Sequence, residues 1–482
     1  MATANGADDS VSMGSLTSCE SLLDADLGPS PLLSAAAGRG GAAYAMGGAG
    51  GEGGAEAEAR RGAGPADRVA IIGSGNWGSA IARIVARNVV EQEGFEHEVR
   101  QWVFPERVTH GGAEKCLTEV INTENENIKY LPGVKLPENV VAEGNLALAV
   151  KDATILIFVL PHQFLGRVLP TVAEALGLSD STGGTPGAPE GKRIRAVSLI
   201  KGVDEGPDGG LRLISDHIRE GLREAVPVSV LMGANVANEV ARDELCESTL
   251  GLADEDYLSC RASGLSVTSD SDTNTLRLLF DRPTFRVTVV RNASATVELC
   301  GALKNVVALG AAFCDGLGYG GNTKAAIVRT GLAEMRIFAE RLAPDATFDA
   351  TASSRAFLES CGIGDLMTTC YGNSRNRKCA EMFAREGGKR SWEQLEEEEL
   401  GGMKLQGPST AVGVFGMIKR RKCVRRFPLL TTVYRIAHEG QPAKTIVEFD
   451  KGLAGAAASE KVHRSRTREP SPTNGRFLSS RL

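Results

Sequence analysis

The chain has 482 residues, a formal net charge of -6, 42% apolar residues and 24% charged residues. This length exceeds that of one ordinary domain and indicates two or three domains, with the composition of a soluble globular protein. The negative net charge argues against the overall positive electrostatic field that nucleic-acid binding requires. An anionic ligand would therefore need local positive charge. The ten cysteines form no CxxC pair and no Cys/His cluster, which predicts reduced thiols and no metal site.

Both ends of the chain have the composition of disordered tails. Gly, Ala and Ser dominate residues 1–66, and residues 454–482 are polar and basic, so neither segment can bury enough apolar surface to offset its ordering entropy. The start of the chain lacks a basic stretch followed by an apolar one, and no apolar run approaches membrane length. We therefore expect neither a secretory signal nor a membrane span.

Residues 67–291 are predicted to form an α/β N-terminal domain. Short apolar runs alternate with helical stretches, which is typical of a doubly wound, mostly parallel, Rossmann-like sheet. The predicted strands are 69–72, 99–104, 154–160, 195–200 and 228–232. Helices are predicted at 79–88 and 211–224, a long connection at 105–137, and an exposed Gly/Pro/Ser/Thr-rich loop at 179–192.

From about residue 292 to 453 helical periodicity dominates, which predicts a mainly α-helical C-terminal domain. The clearest predicted helices are 293–312, 322–342, 376–386 and 407–419.

The sequence Gly73-Ser74-Gly75-Asn76-Trp77-Gly78 fits the G-x-G-x-x-G pattern. It follows a predicted strand and precedes a predicted helix, where glycines permit a tight turn and close approach of a pyrophosphate to free N–H groups. The alternative is a plain glycine-rich turn, but the strand–turn–helix context favours dinucleotide binding.

The end of the second predicted strand indicates NAD as the cofactor. No basic cluster lies there to hold the 2′-phosphate of NADP, although Arg107 is close. Glu106 is either an acceptor for ribose hydroxyls or a solvated loop acid.

Lys304 and Asn305 lie in a helix that is apolar on all sides, 296–309. A buried lysine has a lowered pKa, which suits proton exchange with a carbonyl or hydroxyl oxygen. The alternative is a lysine whose amine reaches solvent. The neighbouring amide and the cofactor domain upstream favour a site.

Two further segments, each with a cationic side chain, are candidates for binding an anion. Arg375 and Asn376 stand at a predicted helix start after a polar segment, where guanidinium, amide and free N–H groups would clasp a phosphate. The alternative is a solvated basic loop. Lys201 follows the strand 195–200 at the edge where ligands bind, or it merely marks a turn.

Two other segments are set aside. Residues 320–324 lack the G-K-[ST] order of a P-loop, and the basic run 419–426 is interpreted as a solvated helix end.

Together these motifs resemble the cytosolic, eukaryotic-type NAD-dependent glycerol-3-phosphate dehydrogenases, from about residue 68 to 440. The resemblance rests on IIGSGNWGSAIA, INTENENIKYLPGVKLP, ILIFVLPHQF, SLIKGVDEGPDGG, VLMGANVANEVA, ELCGALKNVVALGAAFCDGLGYGGNTKAA, FLESCGIGDLMTTCYG, RNRK and GMKLQGPST. It implies an active site between the two domains and reversible hydride transfer between NADH and dihydroxyacetone phosphate, giving sn-glycerol 3-phosphate. It also implies roles in glycerol, glycerolipid and redox metabolism, a homodimer and a cytoplasmic location.

The resemblance also assigns roles to residues. Lys304 would be the general acid in reduction and the general base in oxidation. The residues implied around the reacting carbon are Asn305, Asp365 and Thr369. The residues implied to bind the substrate are Lys201, Arg375 and Asn376. The residues implied to bind NAD are Gly73, Ser74, Gly75, Asn76, Trp77, Gly78, Phe104, Phe164, Ala237, Arg375, Lys404 and Gln406, with Lys404 and Gln406 closing over the nicotinamide.

The chain departs from the family pattern at a few places. The tail 1–66 and the loop 179–192 are extra, and one residue is inserted around Asn373-Ser374. The C-terminal Ser480-Arg481-Leu482 is similar to the S-K-L peroxisomal address, so peroxisomal import is the alternative to the cytoplasm. A protein that senses NADH or phosphorylated trioses without turnover, or another reductase of the same plan, is the alternative function. A sensor needs no buried proton donor, and the phosphate clasp argues against another reductase.

Overall fold

A computed structural model describes residues 65–178, 193–206, 211–252, 270–342 and 350–449. The predicted tails, apart from residues 65 and 66, lie outside the described residues, as do the loop 179–192 and the C-terminal tripeptide.

The described strands and helices follow the predicted order, α/β first and helical afterwards. The strands are β1 (Asp67–Ile72), β2 (Phe95–Trp102), β3 (Arg107–His110), β4 (Ala113–Cys116), β5 (Val140–Glu143), β6 (Ile155–Phe158), β7 (Arg195–Ser198), β8 (Asp204–Glu205), β9 (Leu211–Arg212), β10 (Val228–Met232), β11 (Cys246–Gly251) and β12 (Phe285–Val290). The helices of the α/β part are α1 (Asn76–Glu91), α2 (Leu117–Glu124), α3 (Leu146–Val150), α4 (Leu165–Ala175), α5 (Ile214–Gly221), α6 (Ala237–Ala241) and α7 (Asp270–Phe280).

The helices of the C-terminal part are α8 (Ser294–Gly316), α9 (Gly321–Leu342), α10 (Ala350–Leu358), α11 (Asp365–Tyr371), α12 (Arg375–Arg385), α13 (Trp392–Leu400), α14 (Gln406–Arg420) and α15 (Pro428–His438). A π-helical turn, Ser360–Gly364, leads directly into α11.

Within the described residues, eight strands form the central sheet in the order β12-β11-β10-β7-β6-β1-β2-β5. Neighbouring strands are parallel, except that β10 and β11 are antiparallel. Ile72 pairs with Trp102 on one side and with Phe158 on the other, and Phe158 pairs with Ser198. The carboxyl ends of these strands therefore lie along one edge, where open α/β sheets bind ligands.

Helices cover both faces of this sheet. One apolar core contains side chains of α1, α2, α6 and α7, and another contains side chains of α3, α4 and α5. Because both faces are covered, the central strands are apolar without alternation, as in the fully buried Ile155–Phe158. The predicted doubly wound, Rossmann-like fold is confirmed.

Helix α8 is the centre of the helical part. Every residue from Ala295 to Cys314 is buried, and α9, α11, α12, α14 and the strand β10 all pack against it. In the described part of the chain, α8 is the one helix long and apolar enough to cross a membrane, and its apolar window is entirely buried in the protein. By length and composition α8 departs from the expectation that no apolar run approaches membrane length, and it is apolar on all sides because protein surrounds it.

Some element boundaries differ from the prediction. Strand β2 ends at Trp102, and residues 211–212 form a strand before α5 begins at Ile214. The connection 105–137 contains the hairpin β3–β4 and the helix α2. Helix α11 was not predicted, because its Asp and Thr residues suggest a polar loop. Asp365 and Thr369 instead form buried hydrogen bonds, so tertiary contacts override local preference.

Candidate active site

The turn between β1 and α1 has the geometry of a pyrophosphate cradle. Gly73 has φ +127, and a Cβ there would lie 2.6 Å from the carbonyl oxygen of Val159. A Cβ on Gly78 would lie 2.6 Å from the carbonyl oxygen of Gly73. A Cβ on Gly75 would meet no atom within 4 Å, so open space adjoins the backbone there. Two glycines thus permit tight packing, and the third leaves room for a ligand.

The start of α1 is free to bind an anion. Gly75 is the N-cap residue, and no side chain caps the helix, so the first N–H groups of α1 have no side-chain acceptor. Asn76 donates from Nδ2 to Asn238 Oδ1 at 2.9 Å, which joins α1 to α6, the helix that begins at Ala237. Trp77 packs beside Phe285, with ring centroids 6.3 Å apart.

Two exposed aromatic side chains stand at the same edge of the sheet. Phe104 follows β2 and is 65% exposed, and Phe164 lies in the turn after β6 and is 48% exposed. Apolar rings are usually buried, so such exposure next to the glycine turn offers surfaces for the flat rings of a dinucleotide.

Glu106 is neither a free solvated acid nor an unpaired ribose acceptor in this conformation. Its carboxylate accepts from Lys129 and from the Tyr130 hydroxyl, the latter at 3.4 Å. The contact raises the pKa of Lys129. The acid that follows β2 is therefore held by the segment after α2.

Lys304, Asp365 and Thr369 form a buried polar group between α8 and α11. Lys304 Nζ donates to Asp365 Oδ1 at 2.5 Å and to Thr369 Oγ1 at 2.8 Å. Thr369 Oγ1 donates in turn to the Asp365 carbonyl oxygen at 2.7 Å. Lys304 is 6% exposed, so the possibility that its amine reaches solvent is excluded.

Burial and charge set the proton affinities of this group. Burial lowers the pKa of Lys304 to about 8; the Asp365 carboxylate opposes this effect and the nearby Lys201 adds to it. Burial alone would raise the pKa of Asp365, but the charges of Lys201 and Lys304 hold it below its usual value. Asp365 thus stays ionised, and Lys304 titrates near neutral pH.

Lys201 reaches the same carboxylate from the α/β part. Its Nζ donates to Asp365 Oδ2 at 2.8 Å and to the Gly233 carbonyl oxygen at 2.9 Å. Lys201 and Gly233 follow β7 and β10, so the carboxyl edge of the sheet meets α11 here. The three predicted residues Lys201, Lys304 and Asp365 are therefore in direct contact.

A chain of amides continues from this group. Asn376 donates from Nδ2 to Asn305 Oδ1 at 3.1 Å and accepts from the Gly407 N–H at 2.9 Å. This chain links α8, α12 and α14, and leaves one amide hydrogen of Asn376 for a ligand. Gln406 Oε1 lies 3.2 Å from an ideal Cβ on Gly202, which brings Gln406 close to the Lys201 segment.

Arg375 lies at the exposed first turn of α12. Its nearest polar contact is the Met403 sulfur at 3.5 Å, and none of the acidic residues in the described chain pairs with it. Ser374 caps the helix by accepting from the Arg377 N–H at 3.2 Å, and it donates to the Thr369 carbonyl oxygen at 2.9 Å. Ser374 thus provides the cap of α12, and Arg375 stays available to an anion.

Lys404 lies apart from these contacts. Its amine donates to Glu396 Oε2 at 2.7 Å, and this hydrogen bond raises its pKa.

Two residues that sequence analysis did not place in the site, Asp315 and Lys324, support the first turn of α12 through Arg377. Asp315 accepts from Lys324 at 2.7 Å and from Arg377 at 2.9 Å, and Lys324 Nζ lies 4.6 Å from the centre of the Tyr371 ring. The available signal was an acid and a lysine in the quoted motif FCDGLGYGGNTKAA. Sequence spacing did not show that Lys324 and Arg377 would share the Asp315 carboxylate.

The arrangement combines features that a dehydrogenase of a phosphorylated substrate needs. An anion-binding turn adjoins exposed rings, a buried lysine titrates near neutral pH, and an available arginine stands at a helix start. The glycine geometry and the uncapped α1 fit a dinucleotide. Within the described residues no cluster of metal-ligating side chains occurs.

Comparison with known proteins gives consistent matches. The sequence model for the NAD-dependent glycerol-3-phosphate dehydrogenase N-terminus matches residues 68–258, and the C-terminus model of that family matches residues 294–448. The cytoplasmic NAD(+) glycerol-3-phosphate dehydrogenase of Homo sapiens is 50% identical over 375 residues, covering 78% of this chain and 95% of that protein.

Two further matches agree. Glycerol-3-phosphate dehydrogenase 1-like protein of Xenopus tropicalis is 48% identical over 380 residues, covering 79% of this chain and 95% of that protein. The solved structure of Plasmodium falciparum glycerol-3-phosphate dehydrogenase matches with a TM-score of 0.67 and 34% identity, covering 80% of this chain and 95% of that one.

Proposed function

Because the chain belongs to the family of NAD-dependent glycerol-3-phosphate dehydrogenases, we propose that the Lys304 site interconverts dihydroxyacetone phosphate and sn-glycerol 3-phosphate. Family membership makes the protein an oxidoreductase with NAD as its cofactor. When bound, the cofactor supplies or accepts the hydride, and the protein supplies binding, orientation and charge.

Lys304 is the proposed acid and base. In reduction its ammonium donates a proton to the substrate carbonyl oxygen, and in oxidation its neutral amine accepts the hydroxyl proton. The observation that carries this proposal is the buried Lys304–Asp365 contact at 2.5 Å. A buried amine with a pKa of about 8 is well matched to exchange a proton near neutral pH.

The neighbours of Lys304 orient the reacting carbon. Asp365 fixes the position of the amine, and Thr369 shares the amine's hydrogen bonds. Lys201 offers positive charge beside the Asp365 carboxylate, and we propose that its amine contacts the substrate. Asn305 is held by Asn376 and stands one residue from Lys304, which suits a role in orienting the substrate oxygen.

The substrate phosphate is assigned to the start of α12. Arg375 supplies an exposed guanidinium without an acidic partner in the described chain, and Asn376 retains one amide hydrogen. A guanidinium and free helix N–H groups form strong hydrogen bonds to phosphate oxygens. Binding energy from the phosphate can also align the carbonyl for reaction.

The cofactor is assigned to the carboxyl edge of the sheet. Residues 73–78 would hold the pyrophosphate, with Phe104, Phe164 and Ala237 along the rest of the dinucleotide. Gln406 already lies near Gly202, whereas Lys404 would exchange its contact with Glu396 for one to the cofactor, beside Arg375.

We also propose a domain boundary near residue 292 and a homodimer that does not span a membrane. Relatives named as cytoplasmic enzymes support a cytoplasmic location. Peroxisomal import through Ser480-Arg481-Leu482 is the alternative, and it is tested by removing that tripeptide and following the location of the protein.

The test is the loss of NADH absorbance with purified full-length protein and dihydroxyacetone phosphate. NADPH and unphosphorylated dihydroxyacetone are run in parallel. We expect fast turnover with NADH and the phosphate ester only. If the protein binds NADH without turnover, the result would contradict the proposed dehydrogenase activity. It would favour the alternative, a protein that senses NADH or phosphorylated trioses.

A further inference from the structure

The motif INTENENIKYLPGVKLP enters the site described so far only through Lys129 and Tyr130, which hold Glu106, yet another of its residues contacts the cofactor turn. Asn127 is 0% exposed. Its Nδ2 donates to the Ser74 carbonyl oxygen at 2.8 Å and to Ser79 Oγ at 2.9 Å. Its Oδ1 accepts from the Tyr130 N–H at 3.1 Å. Both hydrogens and the oxygen of this amide are therefore engaged, and its orientation is fixed.

Gln101 makes a matching contact from β2. It is also fully buried, and its Nε2 donates to the Gly73 carbonyl oxygen at 2.9 Å. Two successive carbonyl groups of the turn, those of Gly73 and Ser74, thus point into the protein and are held there by side-chain amides from separate elements.

The direction of these carbonyls determines the direction of the N–H groups. In a planar trans peptide the C=O and N–H bonds point to opposite sides. When Asn127 holds the Ser74 carbonyl inward, the Gly75 N–H is turned outward, and an ideal Cβ on Gly75 meets no atom within 4 Å. When Gln101 holds the Gly73 carbonyl inward, the Ser74 N–H is turned outward in the same way.

We propose that Asn127 is a positioning residue for the cofactor: it preorganises the Gly75 N–H group to donate to the NADH pyrophosphate, with Gln101 doing the same for Ser74. The inference rests on the proposed function, in which residues 73–78 hold the dinucleotide. Without Asn127 the Ser74–Gly75 peptide can rotate, and NADH must order it on binding. A preorganised donor avoids that cost.

The experiment is a fluorescence titration of the full-length protein with NADH, comparing wild type, Asn127→Ala and the control Asn88→Ala. Asn88 is matched because it is a buried asparagine that donates to the carbonyl oxygens of Leu278 and Leu279, at the far end of α1. We expect Asn127→Ala to raise the Kd for NADH about tenfold. At saturating NADH, kcat and the KM for dihydroxyacetone phosphate should stay within about twofold of wild type.

The control separates positioning from folding. Asn88→Ala should lower the melting temperature by a similar amount and leave the Kd for NADH unchanged. An unchanged Kd in Asn127→Ala, or an equal rise in both variants, would overturn the inference. Failure of the wild type to bind NADH would instead overturn the proposed cofactor site.

A milder variant covers the case in which Asn127→Ala does not fold. Ser79→Ala removes one of the two oxygens that Asn127 holds, together with a hydroxyl that donates to the Ser74 carbonyl oxygen at 3.3 Å. A smaller rise in the Kd for NADH, about threefold, is expected. No rise in this variant would contradict the proposal.

Discussion

Lys304 and Asp365 lie 61 residues apart in the chain, yet their side chains meet at 2.5 Å in the protein interior. The contact joins α8 to α11 and is completed by Lys201 from the α/β part. One carboxylate is thus shared by two lysines, of which Lys304 is the more deeply buried. This asymmetry supports the proposal that Lys304 is the residue that exchanges the proton.

Replacement of Lys304 should remove turnover and leave the affinity for NADH nearly unchanged. Lys304→Ala deletes the proposed proton donor, while Lys201 still neutralises Asp365, so the protein should fold. We expect kcat/KM for dihydroxyacetone phosphate to fall by about a thousandfold, with the Kd for NADH within about twofold of wild type. Turnover assays and NADH titration measure the two effects separately.

Lys324→Ala is the matched control for that variant. Lys324 is also 6% exposed and paired with an aspartate, Asp315, but it does not contact Asp365. This variant should lose similar thermal stability but retain far more turnover than Lys304→Ala, because it keeps the proposed proton donor and alters only the support of α12. Near-normal activity in Lys304→Ala would refute the assigned role.

The rate should depend on pH through Lys304. Its pKa of about 8 leaves the amine protonated below that pH, and protonated Lys304 is the proposed donor in reduction. Reduction of dihydroxyacetone phosphate should therefore slow as pH rises through about 8, and oxidation of glycerol 3-phosphate should accelerate over the same range. Steady-state kcat/KM profiles in both directions measure this.

The control is the pH dependence of the residual activity of Lys304→Ala, compared with that of the wild type. It should lack the transition near pH 8. Persistence of the same transition in the variant would assign it to another group.

Arg375→Ala should weaken recognition of the phosphate. A charge-assisted hydrogen bond is lost, so kcat/KM for dihydroxyacetone phosphate should fall about a hundredfold, with kcat reduced as well. Activity with unphosphorylated dihydroxyacetone should change little, since that substrate has no phosphate to bind.

Arg385→Ala is the control on the same helix. Arg385 is exposed and pairs with Glu381, and its loss should leave both substrates unaffected. If Arg375→Ala lowers kcat/KM equally for the phosphorylated and the unphosphorylated substrate, Arg375 does not bind the phosphate.

Local patterns were sufficient for much of the fold. The apolar runs at β1 and β10, the glycines at 73–78 and the apolar periodicity of α8 are each encoded by neighbouring residues, so short-range rules predict them. Helix α11 was missed because its polar residues are stabilised by Lys304 and Lys201, which lie far away in sequence.

By itself, the sequence determined the order of the elements, the fold class and the residue types available for chemistry, because periodicity and motif spacing are local properties of the chain. Only the tertiary structure decided which charges share the Asp365 carboxylate and that Asn127 holds the glycine turn. Those contacts join residues tens of positions apart, and packing fixes their distances, burial and proton affinities.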